Sequence, residues 1–343
     1  MSAWWKICDP LLFLGSSFIT EYRIDFYLCN NGCVNCIELK NPNNFEQKML
    51  TTKTYSIGEI FLSLKKAPDE TKNSLNSVFS PFLSPKKRIK TPDISFTING
   101  SEHIDLDDYT LIFDTLPSGL WKMWKGKNKD SYLLSFHNIS NNSKPYLFAI
   151  ANNNFSDFQI ISKDDLNGFN PVESSSYELL LSGYLNINKT GITLHSALVS
   201  FNNKGYIFPG KSGSGKSSIS GLWSQEKDAE VLADEQIMIR KKNGNLYSFS
   251  TPWQGNTLNN KNKGVPLQKI FFIKHGNKNA LQKLSTLDAA NRLMVRCFPT
   301  FWHRDGMQFA LDFCTRIASE IGCFEFSFVS DSSAVEFIKE NIT

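Results

Sequence analysis

Gly210-Lys211-Ser212-Gly213-Ser214-Gly215-Lys216-Ser217 is the stretch on which the reading of this chain turns. It fits the pattern G-x-x-x-x-G-K-[S/T] completely, and each part has a physical task. The glycines let the backbone take positive φ and turn its N–H groups toward phosphate oxygens. Tyr206 to Phe208 reads as a short apolar strand entering the loop, and Ile219 to Trp223 as a helix leaving it. The positive N-terminal end of that helix adds to the anion site. In such a loop Lys216 meets the β- and γ-phosphates of a nucleotide as a point charge, and Ser217 is placed to ligate Mg²⁺. Residues Gly210 through Ser218 are therefore the expected phosphate site.

Two further features lie close to it in the sequence. Glu230-Val231-Leu232-Ala233 reads as a short strand that delivers Asp234 and Glu235 at its end. Of two adjacent carboxylates after such a loop, one can hold Mg²⁺ and the other can take the proton of an attacking hydroxyl. Ahead of the loop, His195 lies in Thr193-Leu194-His195-Ser196-Ala197, on the strand Ile192–Phe201. A lone histidine is usually structural, but this strand turns at Asn202–Gly205 directly into the loop strand, which brings His195 toward the phosphates. A second hairpin follows, Gln236–Arg240 and Leu246–Phe249 around Asn243-Gly244. Hairpins on both sides of the loop argue for a mixed sheet rather than an all-parallel one.

Downstream, Lys269–Ile273 reads as a strand, and Ser285 with Asp288 as a capped helix start. Met307 through Ile321 carry one apolar helix face stopped at Gly322, Phe324, Phe326 and Phe328 alternate as a strand, and Asp331 opens a last helix. Upstream, Tyr177, Leu180, Leu181, Tyr184 and Leu185 repeat with helical spacing. Asp93 to Ser162 reads as a mostly antiparallel meander of six strands, with Trp121 and Trp124 as packing residues. Ser56–Lys66 reads as a short helix, with Ile57, Ile60, Phe61 and Leu64 at helical spacing. Ser80–Pro92 reads as an exposed basic loop, and Glu21–Leu28 as a strand.

Taken in order, Leu194-His195-Ser196-Ala197, the short hairpin, Gly210–Ser217 and Val231-Leu232-Ala233-Asp234-Glu235 resemble the catalytic domain of HPr kinase/phosphorylase. They resemble more closely its shorter HPr-kinase-related relatives, and phosphoenolpyruvate carboxykinase is a more distant relative of the same nucleotide-binding fold. The resemblance runs from about Tyr177 to the C-terminus. It implies an ATP- and Mg²⁺-dependent kinase in which Lys216 is the catalytic lysine and His195 the active-site histidine. It makes Ser217 a Mg²⁺ ligand and Asp234 with Glu235 the base and metal pair. Which of the two is the base stays open, with Asp234, which matches a family aspartate, taken as the base and Glu235 as the Mg²⁺ ligand. The family has two aspartates where this chain has Asp234-Glu235, and its second motif, which carries a catalytic arginine, has no clear counterpart here. Thr251-Pro252-Trp253 stands where the short relatives carry a similar Pro-Trp element. The N-terminal half does not resemble that of HPr kinase, so HPr itself is not implied as substrate.

Cys29, Cys33 and Cys36 form a C-x3-C-x2-C triplet. Three readings stay open: a zinc site with a fourth ligand from elsewhere, an iron–sulfur cluster, or three reduced thiols in a turn. Cys297, Cys314 and Cys323 lie on apolar faces and read as core.

With 343 residues the chain is long enough for two domains, and its 41% apolar and 20% charged residues are ordinary for a globular protein. A net charge of +4 is too mild to argue for nucleic acid. No secretory signal or membrane-spanning run is read, seven cysteines is an odd number, and a cytoplasmic location is expected. The expected fold is α/β, α+β overall. A β-rich domain over residues 1–170 recognises the acceptor, and residues 171–343 form a phosphate-loop kinase domain of the HPr kinase type with a mixed sheet. The expected function is transfer of the γ-phosphate of ATP to a hydroxyl, a serine of a protein or peptide. The alternative is an ATP-binding regulatory or assembly protein without efficient transfer. Homo-oligomer formation stays open.

Overall fold

The structure, a computed structural model, describes residues 52–65, 79–84, 91–99, 103–115, 120–138, 141–162, 175–211, 213–253 and 261–341. The cysteine triplet, the strand expected at Glu21–Leu28 and the basic run at 85–90 lie outside them. Among the described residues no helix is long and apolar enough to cross a membrane.

The first sheet opens with a hairpin. β1 (Thr52–Ile57) and β2 (Ile60–Lys65) pair antiparallel around Gly58 and Glu59, both with positive φ. This corrects the helix expected over Ser56–Lys66. Ile57, Ile60, Phe61 and Leu64 fit a helical period, but Ile60, Leu62 and Leu64 also fit a period of two, and all three are buried. A two-residue turn with both residues left-handed suits the twist of paired strands, and it decides between the two periods. β3 (Ile94–Asn99) runs parallel to β2 on one side and to β8 (Asp157–Ser162) on the other. From β4 (Tyr109–Asp114) through β5 (Trp121–Gly126), β6 (Ser131–Asn138) and β7 (Asn141–Asn152) to β8 the chain is the expected antiparallel meander. The sheet order is β1-β2-β3-β8-β7-β6-β5-β4. The start of the expected exposed loop at Ser80–Pro92 is anchored instead: Phe79 and Phe82 are buried and Ser84 N–H donates to Thr54 O at 2.9 Å.

Helix α1 (Ser175–Ile187) packs its apolar stripe into the core of this sheet, with the rings of Phe96 and Tyr177 4.0 Å apart. Trp121 packs as expected, stacked on Phe113 and edge-on to Trp302.

The second sheet is built on two long strands, β9 (Gly191–Phe201) and β14 (Gly264–His275). β10 (Lys204–Pro209) returns antiparallel along β9 and lies parallel to β14. β11 (Ala229–Ala233) pairs with the same half of β9 as β10 does. β12 (Gln236–Lys242) pairs with the other half, Gly191–His195, and with β13 (Asn245–Ser250), which reaches the start of β14. β16 (Gly322–Phe328) is parallel to β14 and antiparallel to the edge strand β15 (Ala280–Lys283). The sheet is mixed, as the flanking hairpins predict.

Helices cover both faces. α3 (Thr286–Met294) and α4 (Arg304–Glu320) share one core with Leu194, Ile207, Ile270 and Phe272. α2 (Lys216–Trp223) and α5 (Ser333–Asn341) share the other with Phe208, Phe271 and Phe326. The alternation of Ile207 with Phe208, and of Ile270 with Phe271, sends neighbouring side chains to opposite cores. Ser285 caps α3 as expected, accepting from Asp288 N–H at 3.1 Å. Cys297, Cys314 and Cys323 are buried, free thiols.

The two sheets meet through β12 and β13. Met238 and Phe249 belong to the first sheet's core, Arg240 Nη1 donates to Gly58 O at 2.5 Å, and Asn262 Nδ2 donates to Ser56 O at 2.8 Å.

Candidate functional site

The site forms where β9 changes partners. At His195–Ser196 the pairing with β12 stops and the pairing with β10 and β11 begins. β10 ends there in the glycine loop, with Pro209 opposite Ser196, and β11 ends there in the Asp234-Glu235 turn. Ser196 N–H donates to Glu235 O at 3.0 Å and pins that turn to one edge of β9. On the other edge His195 N–H donates to Arg296 O at 2.8 Å, which brings in the segment that follows α3.

The glycine loop has the backbone its sequence demands. Gly213 and Gly215 have φ of 76° and 99°, a region that residues with a Cβ rarely adopt. Gly215 is the N-cap of α2, and the first helical bond runs from Ile219 N–H to Gly215 O at 2.9 Å. The N–H groups of the first turn therefore have no intrahelical partner and point out of the helix end, an arrangement that favours anions. Ser217 and Ser218 are exposed on that turn. Lys216 is only 6% exposed and folds back over the loop, with Nζ 3.4 Å from Gly210 O and 3.5 Å from Lys211 O.

Four of the charged or titratable residues expected at the site come together. Glu235 Oε2 lies 4.0 Å from Lys216 Nζ and 3.4 Å from His195 Nδ1. Asp234 is buried, 3% exposed, and its charge, like that of Glu235, supports the ammonium of Lys216. Burial nevertheless wins, and the Lys216 pKa lies below the ordinary lysine value. Burial, with Lys216 and Arg296 nearby, holds His195 down to about 3. Its contact with Glu235 is thus one of a neutral imidazole, not an ion pair. A neutral imidazole can turn its donor toward Glu235 from Nδ1 and keep a lone pair on Nε2.

Two residues reach the site that the sequence reading did not single out. Arg296 follows the last turn of α3. Its Nη1 donates to Arg292 O at 2.8 Å and its guanidinium lies 5.3 Å from the centre of the Phe272 ring. Its Nε is buried with no hydrogen-bond partner among the described residues. Burial, with Arg292 beside it, brings Arg296 down to about 10. Glu178, on α1, is buried and accepts a hydrogen bond from Gln236 Nε2. Burial and the charge of Glu235 push Glu178 up to about 8, so it is protonated at neutral pH. No motif marks either residue. The one available signal is a glutamate on the apolar stripe of α1, between Tyr177 and Leu181. Thr251 Oγ1 donates to Gln236 O at 2.8 Å and Trp253 packs edge-on to Phe79 at 6.0 Å, so the Thr-Pro-Trp element braces the strand that carries Gln236.

Among the described residues no group of three or more His, Cys, Asp or Glu side chains is arranged to hold a metal ion. Mg²⁺ at a phosphate loop needs no such cage, because it takes one or two protein ligands, phosphate oxygens and water. Ser217 at the helix end and a carboxylate of the Asp234-Glu235 turn beside Lys216 are donors of that kind. No protein-family model matches the chain, and no curated protein matches it.

Proposed function

We propose that the chain is an ATP-dependent phosphotransferase of the HPr-kinase-related type, acting on a hydroxyl of a protein or peptide, a serine by preference. One observation carries the reading: the glycine loop with Lys216, the Asp234-Glu235 turn and His195 converge on the centre of β9, with Glu235 Oε2 4.0 Å from Lys216 Nζ and 3.4 Å from His195 Nδ1.

The roles follow from charge and exposure. The triphosphate lies on residues 210–217, with Mg²⁺ supplying charge neutralisation on its outer oxygens when bound. Lys216 leaves the carbonyls of Gly210 and Lys211 for the β/γ-phosphates, and Arg296 adds a second fixed cation for charge developing on the transferred group. The carboxylates divide the remaining tasks. Glu235, with 21% of its side chain exposed, meets an arriving hydroxyl before the buried Asp234 does. We therefore assign proton abstraction to Glu235, oriented by His195, and the Mg²⁺-side charge to Asp234 with Ser217. This reverses the division taken from the family resemblance.

The test is transfer of γ-labelled phosphate from ATP to proteins and peptides encoded beside this chain, with Lys216→Ala as control. Label in an acceptor hydroxyl that disappears in the control supports the reading. Tight binding of ATP·Mg²⁺ with no transfer to any protein, peptide or small hydroxyl compound would leave a nucleotide-binding protein instead.

A further inference from the structure

The carboxyl ends of three parallel strands stand side by side: β10, which feeds the glycine loop, then β14, then β16. The last residues of β14 and β16, His275 and Phe328, are register partners. Their rings stack with centroids 5.2 Å apart and planes at 29°. Phe328 is fully buried, while His275 is exposed, so the imidazole lies on a ring floor with its outer side toward solvent.

This pair touches the glycine loop. A Cβ placed on Gly215 would meet Phe328 Cζ at 2.6 Å and His275 Cε1 at 2.9 Å. The pair is also held in place. His275 Nδ1 is 3.4 Å from Ser330 Oγ, Gly276 N–H donates to Phe328 O at 3.0 Å, and Asn279 Oδ1 accepts from Val329 N–H at 2.9 Å.

A nucleotide on the loop must send its base away from the groups that handle the γ-phosphate. His195 and Glu235 lie on the β9 side of β10, and Arg296 reaches Phe272 on the sheet face opposite to the one into which Phe328 packs. The β14–β16 side carries the aromatic pair, and ligands of open α/β sheets lie in the crevice at the carboxyl ends of such strands. We infer that the outer face of His275, backed by Phe328 and set against Gly215, is the stacking platform for the base of the bound nucleoside triphosphate. Stacking reads ring area rather than hydrogen-bond pattern, so the platform favours purine over pyrimidine nucleotides.

This inference rests on the phosphate-loop reading above, and the experiment separates the two. Binding of ATP·Mg²⁺ and of Mg²⁺·tripolyphosphate, which has no base, is measured by calorimetry for the unaltered protein, His275→Ala and His275→Phe. The expected result is that His275→Ala weakens ATP about 5- to 100-fold, the span of base–aromatic stacking. Tripolyphosphate binding stays unchanged, and His275→Phe restores ATP. Unchanged ATP affinity in His275→Ala, or equal weakening of ATP and tripolyphosphate, overturns the platform and leaves the loop intact. Failure of the unaltered protein to bind either compound overturns the phosphate-loop reading itself.

Discussion

Glu178, sealed into the core by α1, accepts a hydrogen bond from the side-chain amide of Gln236, the residue next to Glu235. A helix that packs in the first sheet thus supports the turn that carries the site's carboxylates. The proton on Glu178 is part of that support, because an ionised Glu178 would repel Glu235.

That proton makes stability depend on pH. The folded value is about 8 against an ordinary 4.5, so between these values the unfolded chain releases a proton that the folded chain keeps. Stability from this group is fully present below pH 4.5 and is lost as pH rises through 8. Glu178→Gln keeps an oxygen to accept from Gln236 and removes the titration. In urea melts it should match the unaltered protein near pH 4 and be more stable at pH 8, by on the order of a few kcal/mol. Parallel curves for the two proteins would place an ionised Glu178 in the fold.

His195 acts in the opposite direction. Its folded value of about 3 lies below the ordinary 6.5, so stability is present above pH 6.5 and is lost as pH falls toward 3. His195→Asn keeps a donor toward Glu235 and cannot titrate, so its melts should lose less stability between pH 6.5 and 4. In transfer assays it should lower the rate while ATP affinity holds. Lost affinity with an unchanged single-turnover rate would instead place His195 in nucleotide binding.

The carboxylates are separated by charge-removing, shape-keeping changes. Glu235→Gln should lower transfer by about 10²–10⁴-fold, the contribution of a general base, with ATP affinity hardly changed. Asp234→Asn should weaken Mg²⁺-dependent ATP binding and transfer together. The reverse pattern would return the base to Asp234.

Arg296 is tested at the level of the rate. Arg296→Ala should reduce single-turnover transfer by about 10²-fold or more, as loss of a fixed charge at a developing anion does. Arg296→Lys should recover part of it, since a point charge replaces the planar fork only in part. Equal thermal stability of Arg296→Lys and the unaltered protein, alongside a lower rate, is the signature of a chemical rather than a packing role.

Much of the site was legible because it is local. The glycine loop, the β11 turn and the hairpin before the loop are each written in a few consecutive residues, and turn chemistry such as Asn202-Asn203 and Asn243-Gly244, all with positive φ, fixes the register around them. Glu178 and Arg296 were not legible. They reach the site from the ends of separate elements, through pairings such as His195 with Arg296 that no sequence window contains. Ser56–Lys66 was misread for a different reason. Its apolar positions satisfy both periods, and only the left-handed pair Gly58-Glu59 tells them apart. The parallel placement of β3 between β2 and β8 is likewise a long-range choice that alternation within the strand leaves open.

The sharing of β10 between β9 and β14 also bears on how the protein is born. A ribosome delivers β9, β10 and the glycine loop well before His275 and Phe328 exist. Until β14 and β16 arrive, β10 has one bare edge and Gly215 lacks the rings it rests against. Parallel pairing over such a separation forms late. A growing chain therefore carries the loop sequence before the rings that Gly215 rests against, and the loop takes its final seat only after β16 has been made.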